Sequence, residues 1–397
     1  MSHSVPTHPP RRVAWLLALI PVFPILHIVA LAVVGLLREL SLSVRWMLGG
    51  FVATQIIAAC LTPSPLLSLL LAAARSLLVL SMIAAGIYLR ESRRLRPLVW
   101  GHLVVFATAW IFTLATAGTS LGPAGRLSHP LYYFVSLGLV ATVSLWIIVS
   151  WKGASPWWRF PAGALALATL AATGSRGPIL ALIVGALAAV LAGNLRFLRS
   201  FGLVILLGVV ALGVIPNLRT NVQIDRVVTD TGLSGRERVW EGALKAFRAS
   251  PIGGQGPYQI GPYLGFLYSD RCQLNPALEN AGVRCPDWLA RFRGAWLIAH
   301  NVILHSLAET GVVGTLGLLT LLALGAVATW QSRDGLLLAI YWGFMAMNMV
   351  DVVTAIPSPH FAELFWVVIG MAFVQAGWTR TPERQATALN EASPPAA

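Results

Sequence analysis

The chain has 397 residues, of which 57% are hydrophobic and only 11% are charged. A soluble domain carries roughly 25% charged residues, so this composition argues against a soluble helical bundle. The net charge of +13 does not indicate nucleic-acid binding, because charge in a membrane protein mainly reports topology and affinity for anionic lipids. We therefore expect an all-α polytopic membrane protein whose partners include membrane lipids and no nucleic acid.

The apolar runs predict the membrane spans in chain order. The first run covers 13–37 and contains Pro21 and Pro24, which interrupt helical hydrogen bonding. We predict two short crossings there, giving about twelve crossings with both termini inside, whereas a single crossing would give about eleven. Further spans are expected near 44–62, 65–89, 98–117, 131–150, 157–173, 177–193, 197–215, 312–330, 335–352 and 360–378.

Basic residues set the predicted sidedness of these spans. The block RESRRLRP at 90–97 is the strongest, and the positive-inside rule places it in the cytoplasm. Alternation of the spans then places one long polar loop, with helical signals, on the periplasmic side. The expected regions are a disordered cytoplasmic N-terminus (1–12), a transmembrane bundle (13–215), a periplasmic loop domain (216–298), C-terminal transmembrane helices (299–378) and a disordered cytoplasmic tail (379–397).

The long loop contains a predicted helix. In LSGRERVWEGALKAFRASP, Ser234 and Glu237 form a capping box, and Pro251 ends the helix. Arg236 falls in the first turn, where free N–H groups favour an anion. A phosphate site and a solvated surface arginine are equally compatible with this spacing. The glycine-rich stretch that follows is a weak phosphate-loop signal, because no Walker lysine accompanies it.

Cysteines and membrane arginines add further candidates. Cys272 and Cys285 share the long loop and are predicted to form a disulfide in an oxidising compartment, with two free thiols as the alternative. Arg176, in the turn TGSRGP, is expected to face the outer membrane boundary beside a helix that begins at Pro178, either as a functional group or as a snorkelling side chain. Arg75 lies inside a span, where a charge is a functional candidate and an anion its expected partner.

The stretch AHNVILHSLAETGVVG carries the candidate base. His300 begins a short helix, from about 299 to 310, at the predicted outer membrane surface, where a neutral imidazole is suited to general-base chemistry. His305 and Glu309 are four residues apart and share a helix face. The zinc motif H-E-x-x-H is absent, and the loop shows no paired acidic residues, so we expect neither a metal nor a cofactor.

Three motifs together resemble the O-antigen ligase and polymerase superfamily of bacterial envelope glycosyltransferases. The likeness covers about 130–330, and GRLSHP at 125–130 is a weaker fourth match. The matching residues are Thr173–Gly177, then Gly235 and Arg236 with Trp240 and 251–256, then His300, Asn301, Leu304, Glu309, Gly311 and Gly314.

The resemblance implies a metal-independent enzyme of the bacterial inner membrane with a periplasmic active site. Its donor would be a glycan on undecaprenyl pyrophosphate, and its acceptor a sugar hydroxyl of lipid A–core. In this interpretation His300 is the catalytic base, and Arg176 and Arg236 bind the pyrophosphate. The reaction is a single displacement, so it inverts the anomeric centre. Second-line candidates are Arg75, Arg238, Ser175, Asn301 and Glu309.

Other functions remain open at this stage. An O-antigen polymerase shares the motifs, and a protein O-oligosaccharyltransferase is a further relative, although those chains usually carry a large C-terminal extension. A lipid or glycan transporter is the alternative from another class of protein. The length of the chain and its single long loop favour the ligase.

Overall fold

The computed structural model describes residues 11–117, 126–198 (except 128, 152 and 154), 202, 236–267, 297–355 and 362–380. Within these ranges the regular elements are helical, apart from an isolated bridge between Leu40 and Thr379. The predicted disulfide and most of the predicted span at 197–215 lie outside the described residues. The α-helices are α1 (Arg11–Leu19), α2 (Leu42–Cys60), α3 (Pro65–Leu89), α4 (Leu98–Ala117), α5 (Phe134–Ser150), α6 (Pro156–Ala172), α7 (Arg176–Leu191), α8 (Arg236–Ala249), α9 (Val302–Ser332), α10 (Gly335–Asn348) and α11 (Ala362–Gln375).

Several helices are long and apolar enough to cross a membrane. Four qualify by length and composition in the described ranges, at Leu42–Cys60, Pro65–Leu89, Ser92–Thr116 and Val302–Ser332, and shorter apolar helices accompany them. The expected fold class, an all-α polytopic membrane protein, is confirmed. The number of crossings and the domain boundaries stay predictions.

The first apolar run is broken where its prolines predict. α1 ends at Leu19, and a 3₁₀ helix then runs over Pro24–Glu39. The nine residues of α1 reach about 14 Å, well short of the ~30 Å hydrocarbon core. The 16-residue 3₁₀ helix reaches about 32 Å at its larger rise per residue. The break is therefore confirmed, but α1 alone is too short to be one of two full crossings.

The most extensive helix contacts join α7 to α10 and α3 to α11. At the second crossing, Gly86 and Gly370 let the two backbones touch. A Cβ on Gly86 would lie 2.0 Å from the carbonyl oxygen of Val367, and a Cβ on Gly370 would lie 1.9 Å from that of Ile83. Small residues at such crossings allow the close packing that holds membrane helices together.

Segments between helices that carry basic residues contact each other at one end of the helix bundle. Arg90 pairs with Glu39 at 3.0 Å, and the N–H of Arg380 donates to the Glu39 carbonyl at 2.7 Å. Ser92, just after α3, donates to Asp334 at the start of α10. The opposite ends of α7 and α10 carry the candidate site.

Candidate active site

His300 and Asp351 form the centre of the candidate site. The Nδ1 atom of His300 lies 3.1 Å from Oδ1 of Asp351. An ionised carboxylate only accepts hydrogen bonds. With Asp351 ionised, Nδ1 of His300 carries the proton and donates a hydrogen bond to Asp351. The Asp351 side chain is 2% exposed and that of His300 is 33% exposed. The arrangement leaves Nε2 as the acceptor nitrogen of a ring that solvent and substrate can reach.

The backbone around His300 fixes this orientation. His300 has a φ of 49°, in the left-handed region that few non-glycine residues adopt. The next residue, Asn301, caps α9, because its Oδ1 accepts from the N–H groups of Ile303 and Leu304 at 3.0 and 3.1 Å. Its Nδ2 donates to the Met349 carbonyl at 3.1 Å. Asn301 therefore joins the start of α9 to the end of α10 and acts as a positioning residue.

Asp351 is held just beyond the end of α10. Its N–H donates to the Met347 carbonyl at 2.8 Å, and its Oδ1 also accepts from the N–H of Val352 at 2.8 Å. Residues 335–352 are predicted to be an apolar span, and Asp351 is therefore not among the predicted site residues. The available signal was a lone carboxylate at the end of that span, in NMVDVV.

Arg176 stands beside the same end of α10. It is the first residue of α7 and is partly exposed. The helix begins two residues earlier than predicted, so Pro178 occupies the third helical position rather than the first. At Gly177, a Cβ would lie 2.6 Å from Sδ of Met347. The predicted membrane turn therefore packs against the helix end that leads to Asp351.

Arg236 begins α8 and is also partly exposed. Val239, one turn further on, packs in a small apolar cluster with Ala299, the residue before the candidate base. The first turn of α8 thus lies against the segment that enters α9. The outer face of α8 is solvated, where Lys245 hydrogen-bonds Glu241 and lowers the pKa of that carboxyl below its usual range.

The segment before α5 adds groups that the sequence analysis left unassigned. Tyr133 lies within electrostatic reach of both Arg126 and Asp351. Arg126 belongs to GRLSHP, the weaker fourth match. His129 in the same stretch is buried, and its Nδ1 accepts from two backbone N–H groups at 3.0 and 3.1 Å. His129 is therefore a structural residue, and the guanidinium of Arg126 lies over the ring of Phe134, 4.1 Å from its centroid.

A second cluster with a histidine and a carboxylate is buried along α9. Nη1 of Arg75 donates to Oε2 of Glu309 at 2.6 Å, with side chains 15% and 1% exposed. Nε2 of His305 lies 3.4 Å from the same oxygen, and its side chain is 7% exposed. The shared helix face and the anionic partner of Arg75 are both confirmed. The three side chains line a cavity of about 50 Å³, far below the ~300–1,000 Å³ of ligand sites.

Glu309 anchors the glycine-rich stretch at 251–258. Its Oε1 accepts from the N–H of Tyr258 at 2.6 Å, and its carbonyl accepts from the N–H of Gly256 at 2.8 Å. Gly254 has a φ of 72°, and a Cβ there would lie 2.3 Å from the Glu309 carbonyl carbon. These glycines let the loop backbone touch α9, which replaces the phosphate-loop interpretation.

The loop enters a break in α9. Gly311 has a φ of 58° and a ψ of −164°, so the helix is interrupted there. The N–H of Val312 donates to the carbonyl of Pro251 at 2.9 Å, across this break. The predicted boundary between a short helix ending near 310 and a span from 312 is confirmed, but the short helix begins at Val302 rather than near 299, with Asn301 as its cap. Glu309 and Arg75 therefore hold the loop in place rather than forming part of the exposed centre.

The remaining second-line candidates do not join the centre. Ser175 is buried, and its hydroxyl points back to the Thr173 carbonyl at 3.4 Å. Arg238 is exposed on α8, two residues beyond Arg236. The centre thus consists of an oriented imidazole with a buried carboxylate behind it. Arg176 and Arg236 lie at the starts of α7 and α8, where backbone N–H groups also favour an anion.

Comparisons with known proteins give one result for this region. Residues 161–319 match the family model described as O-antigen ligase. No curated protein matches the chain. The matched segment includes Arg176, Arg236 and His300 but ends before Asp351.

Proposed function

We propose that this chain, whose residues 161–319 match the family model described as O-antigen ligase, transfers O-antigen glycan from undecaprenyl pyrophosphate to a sugar hydroxyl of lipid A–core. The reaction takes place at the periplasmic face of the bacterial inner membrane. The chain itself supplies a base and cations, and the reaction requires no metal. A lipid-linked donor accounts for a site built at one end of a transmembrane bundle.

The first part of the mechanism is proton removal from the acceptor. Nε2 of His300 takes the proton of the attacking sugar hydroxyl, and the hydroxyl oxygen forms a bond to the anomeric carbon of the donor. Asp351 keeps the proton on Nδ1 and stabilises the imidazolium that forms, as the acid does behind a catalytic histidine elsewhere. The observation that carries the proposal is this hydrogen bond of 3.1 Å to a buried carboxylate.

The second part is departure of the pyrophosphate. The bond between the anomeric carbon and the pyrophosphate oxygen breaks, and its electron pair leaves with the oxygen. Arg176 and Arg236 bind the charge that develops, because a guanidinium is permanently charged and presents a planar pair of donors to phosphate oxygens. Both arginines lie at the start of a helix, where free backbone N–H groups also attract the anion. The proton on His300 then passes to the released pyrophosphate or to water.

A single displacement predicts the stereochemistry of the product. The acceptor oxygen attacks from the side opposite the leaving pyrophosphate, so the anomeric configuration inverts. A double displacement would need a second nucleophile that forms a glycosyl-enzyme intermediate. NMR of the new linkage, compared with the donor, distinguishes the two routes.

The experiment that tests the function uses purified full-length protein in lipid nanodiscs. The substrates are a glycan on undecaprenyl pyrophosphate and lipid A–core, and the products are separated on a gel. We expect the glycan to appear on lipid A–core, at the same rate with and without EDTA. Growth of the glycan on the donor lipid alone would identify a polymerase instead. Loss of activity in EDTA, restored by Mg²⁺, would contradict the arginine-based mechanism.

A further inference from the structure

A second cavity lies at the end of the bundle opposite His300. Its volume is about 520 Å³, within the range of small-molecule sites. It is bounded by the end of α5, the turn after α7 and the start of α10, whereas the other ends of these helices form the candidate active site. The described residues that line it include Arg93, Arg96, Arg196, Asn194, Leu195 and Asp334.

The lining carries an excess of positive charge. Three arginines face one carboxylate, Asp334, among the described lining residues, and one of them, Arg93, also pairs with Glu91 outside the lining. The excess of positive charge therefore comes from Arg96 and Arg196. Asp334 is already engaged, because its Oδ1 accepts from the N–H groups of Leu336 and Leu337 at 2.9 and 3.2 Å and its Oδ2 accepts from Ser92. Like charges confined to one concave site repel each other, and an anion that enters the site relieves this repulsion.

Aromatic and apolar side chains place the cavity at the depth of lipid headgroups. The guanidinium of Arg96 lies 5.2 Å from the ring centroid of Trp151. Trp158 packs against Trp151 and Trp100, with centroid distances of 4.7 and 5.5 Å. Tryptophan clusters of this kind occur at the membrane–water interface. Leu195, which lines the cavity, is 57% exposed in the described part of the chain, so the opening offers apolar as well as cationic surface.

We propose that this cavity binds the phosphate headgroup of an anionic phospholipid from the leaflet that the positive-inside pattern assigns to the cytoplasm. Arg96 and Arg196 bind the phosphate oxygens, and Leu195 contacts the first part of an acyl chain. Basic pockets between transmembrane helices on the cytoplasmic side are suited to such headgroups. A free phosphate would use the arginines but not the apolar edge of the cavity.

The test measures lipid binding rather than glycan transfer. Purified full-length protein is titrated with phosphatidylglycerol, with phosphatidylcholine of the same acyl chains, and with inorganic phosphate, and bound lipid is counted by native mass spectrometry. The double variant Arg96→Gln/Arg196→Gln is compared with Arg38→Gln/Arg90→Gln. The second variant removes the same charge at the same end of the bundle but outside the cavity.

We expect the wild type to bind phosphatidylglycerol at least about tenfold more tightly than phosphatidylcholine, because the choline cation of phosphatidylcholine is repelled by the arginines that bind its phosphate. The cavity variant should lose this preference, and the matched control should keep it within about twofold. Equal loss in both variants, or displacement of the lipid by millimolar phosphate, would overturn the proposal. If the double variant melts at a lower temperature than the wild type in lipid-free detergent, the single variant Arg196→Gln, at an exposed position, takes its place in the binding measurement.

Discussion

Two histidine–carboxylate pairs begin within five residues of each other, and they differ in how far solvent can reach them. In the first, Nδ1 of His300 is 3.1 Å from Asp351, and the imidazole is one-third exposed. In the second, Nε2 of His305 is 3.4 Å from Glu309, and both side chains are buried. A histidine and a carboxylate therefore occur together in an accessible pair and in a buried one.

The difference lies in what else each carboxylate binds. Asp351 hydrogen-bonds its histidine and accepts from a neighbouring backbone N–H. Glu309 is shared by Arg75, a backbone N–H of the glycine-rich loop and His305, so its charge is largely neutralised by a cation. Burial of a charge is tolerated when it is paired in this way. The first pair can support proton transfer, and the second stabilises the loop.

The largest effect is expected when the first pair loses its charge. Asp351→Asn keeps the shape and an oxygen for the N–H of Val352, but it removes the carboxylate that fixes the tautomer of His300. General-base contributions are typically about 10²–10⁴-fold, so we expect the kcat for transfer to fall at least about 10²-fold with little change in KM for the donor. Asp334→Asn, at the other end of α10, is the control and should keep turnover within about twofold, because asparagine also caps helices well. A kcat for Asp351→Asn close to wild type would remove Asp351 from the mechanism.

The next effect concerns Arg176 and Arg236, the first residues of α7 and α8. Arg176→Lys and Arg236→Lys keep the charge but lose the planar fork, so each should lower turnover about tenfold or more. Their effects should be non-additive, because groups that act on one leaving group behave as a unit. Turnover of both single variants and the double variant closes the cycle. If the change in activation free energy of the double variant equals the sum of the changes in the two single variants, the arginines do not share the pyrophosphate.

The buried pair should affect stability far more than chemistry. Glu309→Gln leaves Arg75 without its anion and is expected to lower the free energy of unfolding by about 3 kcal/mol, as measured by denaturant titration in detergent. Turnover per folded molecule should change only a few-fold. Glu241→Gln, which removes the exposed pair with Lys245, is the matched control and should leave the free energy of unfolding close to that of the wild type. If Glu309→Gln unfolds like the wild type but loses turnover about 10²-fold, the second pair belongs to the active site.

Local patterns predicted much of this architecture. The prolines at 21 and 24 marked the break after α1, and the short helix before Gly311 followed from the sequence of α9. The shared face of His305 and Glu309 required only the helical repeat. The charge of Arg75, deep in an apolar run, was sufficient to predict an anionic partner.

Long-range packing accounts for what the sequence analysis missed. Asp351 is 51 residues from His300 along the chain, and nothing in its local pattern marks it as a partner. The glycines at 254 and 311 are required because two distant backbone segments touch, and this contact cannot be read from local spacing. The partner of Glu309 is 234 residues away. Residue type and spacing indicated the candidates, and tertiary contacts separated the accessible pair from the closed one.

The most direct test replaces each histidine by glutamine and measures transfer from the lipid-pyrophosphate glycan to lipid A–core. His300→Gln should lower kcat at least about 10²-fold while donor binding persists, because glutamine cannot take the acceptor proton. His305→Gln should keep kcat per folded molecule within a few-fold of the wild type. The reverse result, with His300→Gln near normal and His305→Gln inactive although folded, would contradict the assignment of His300 as the base.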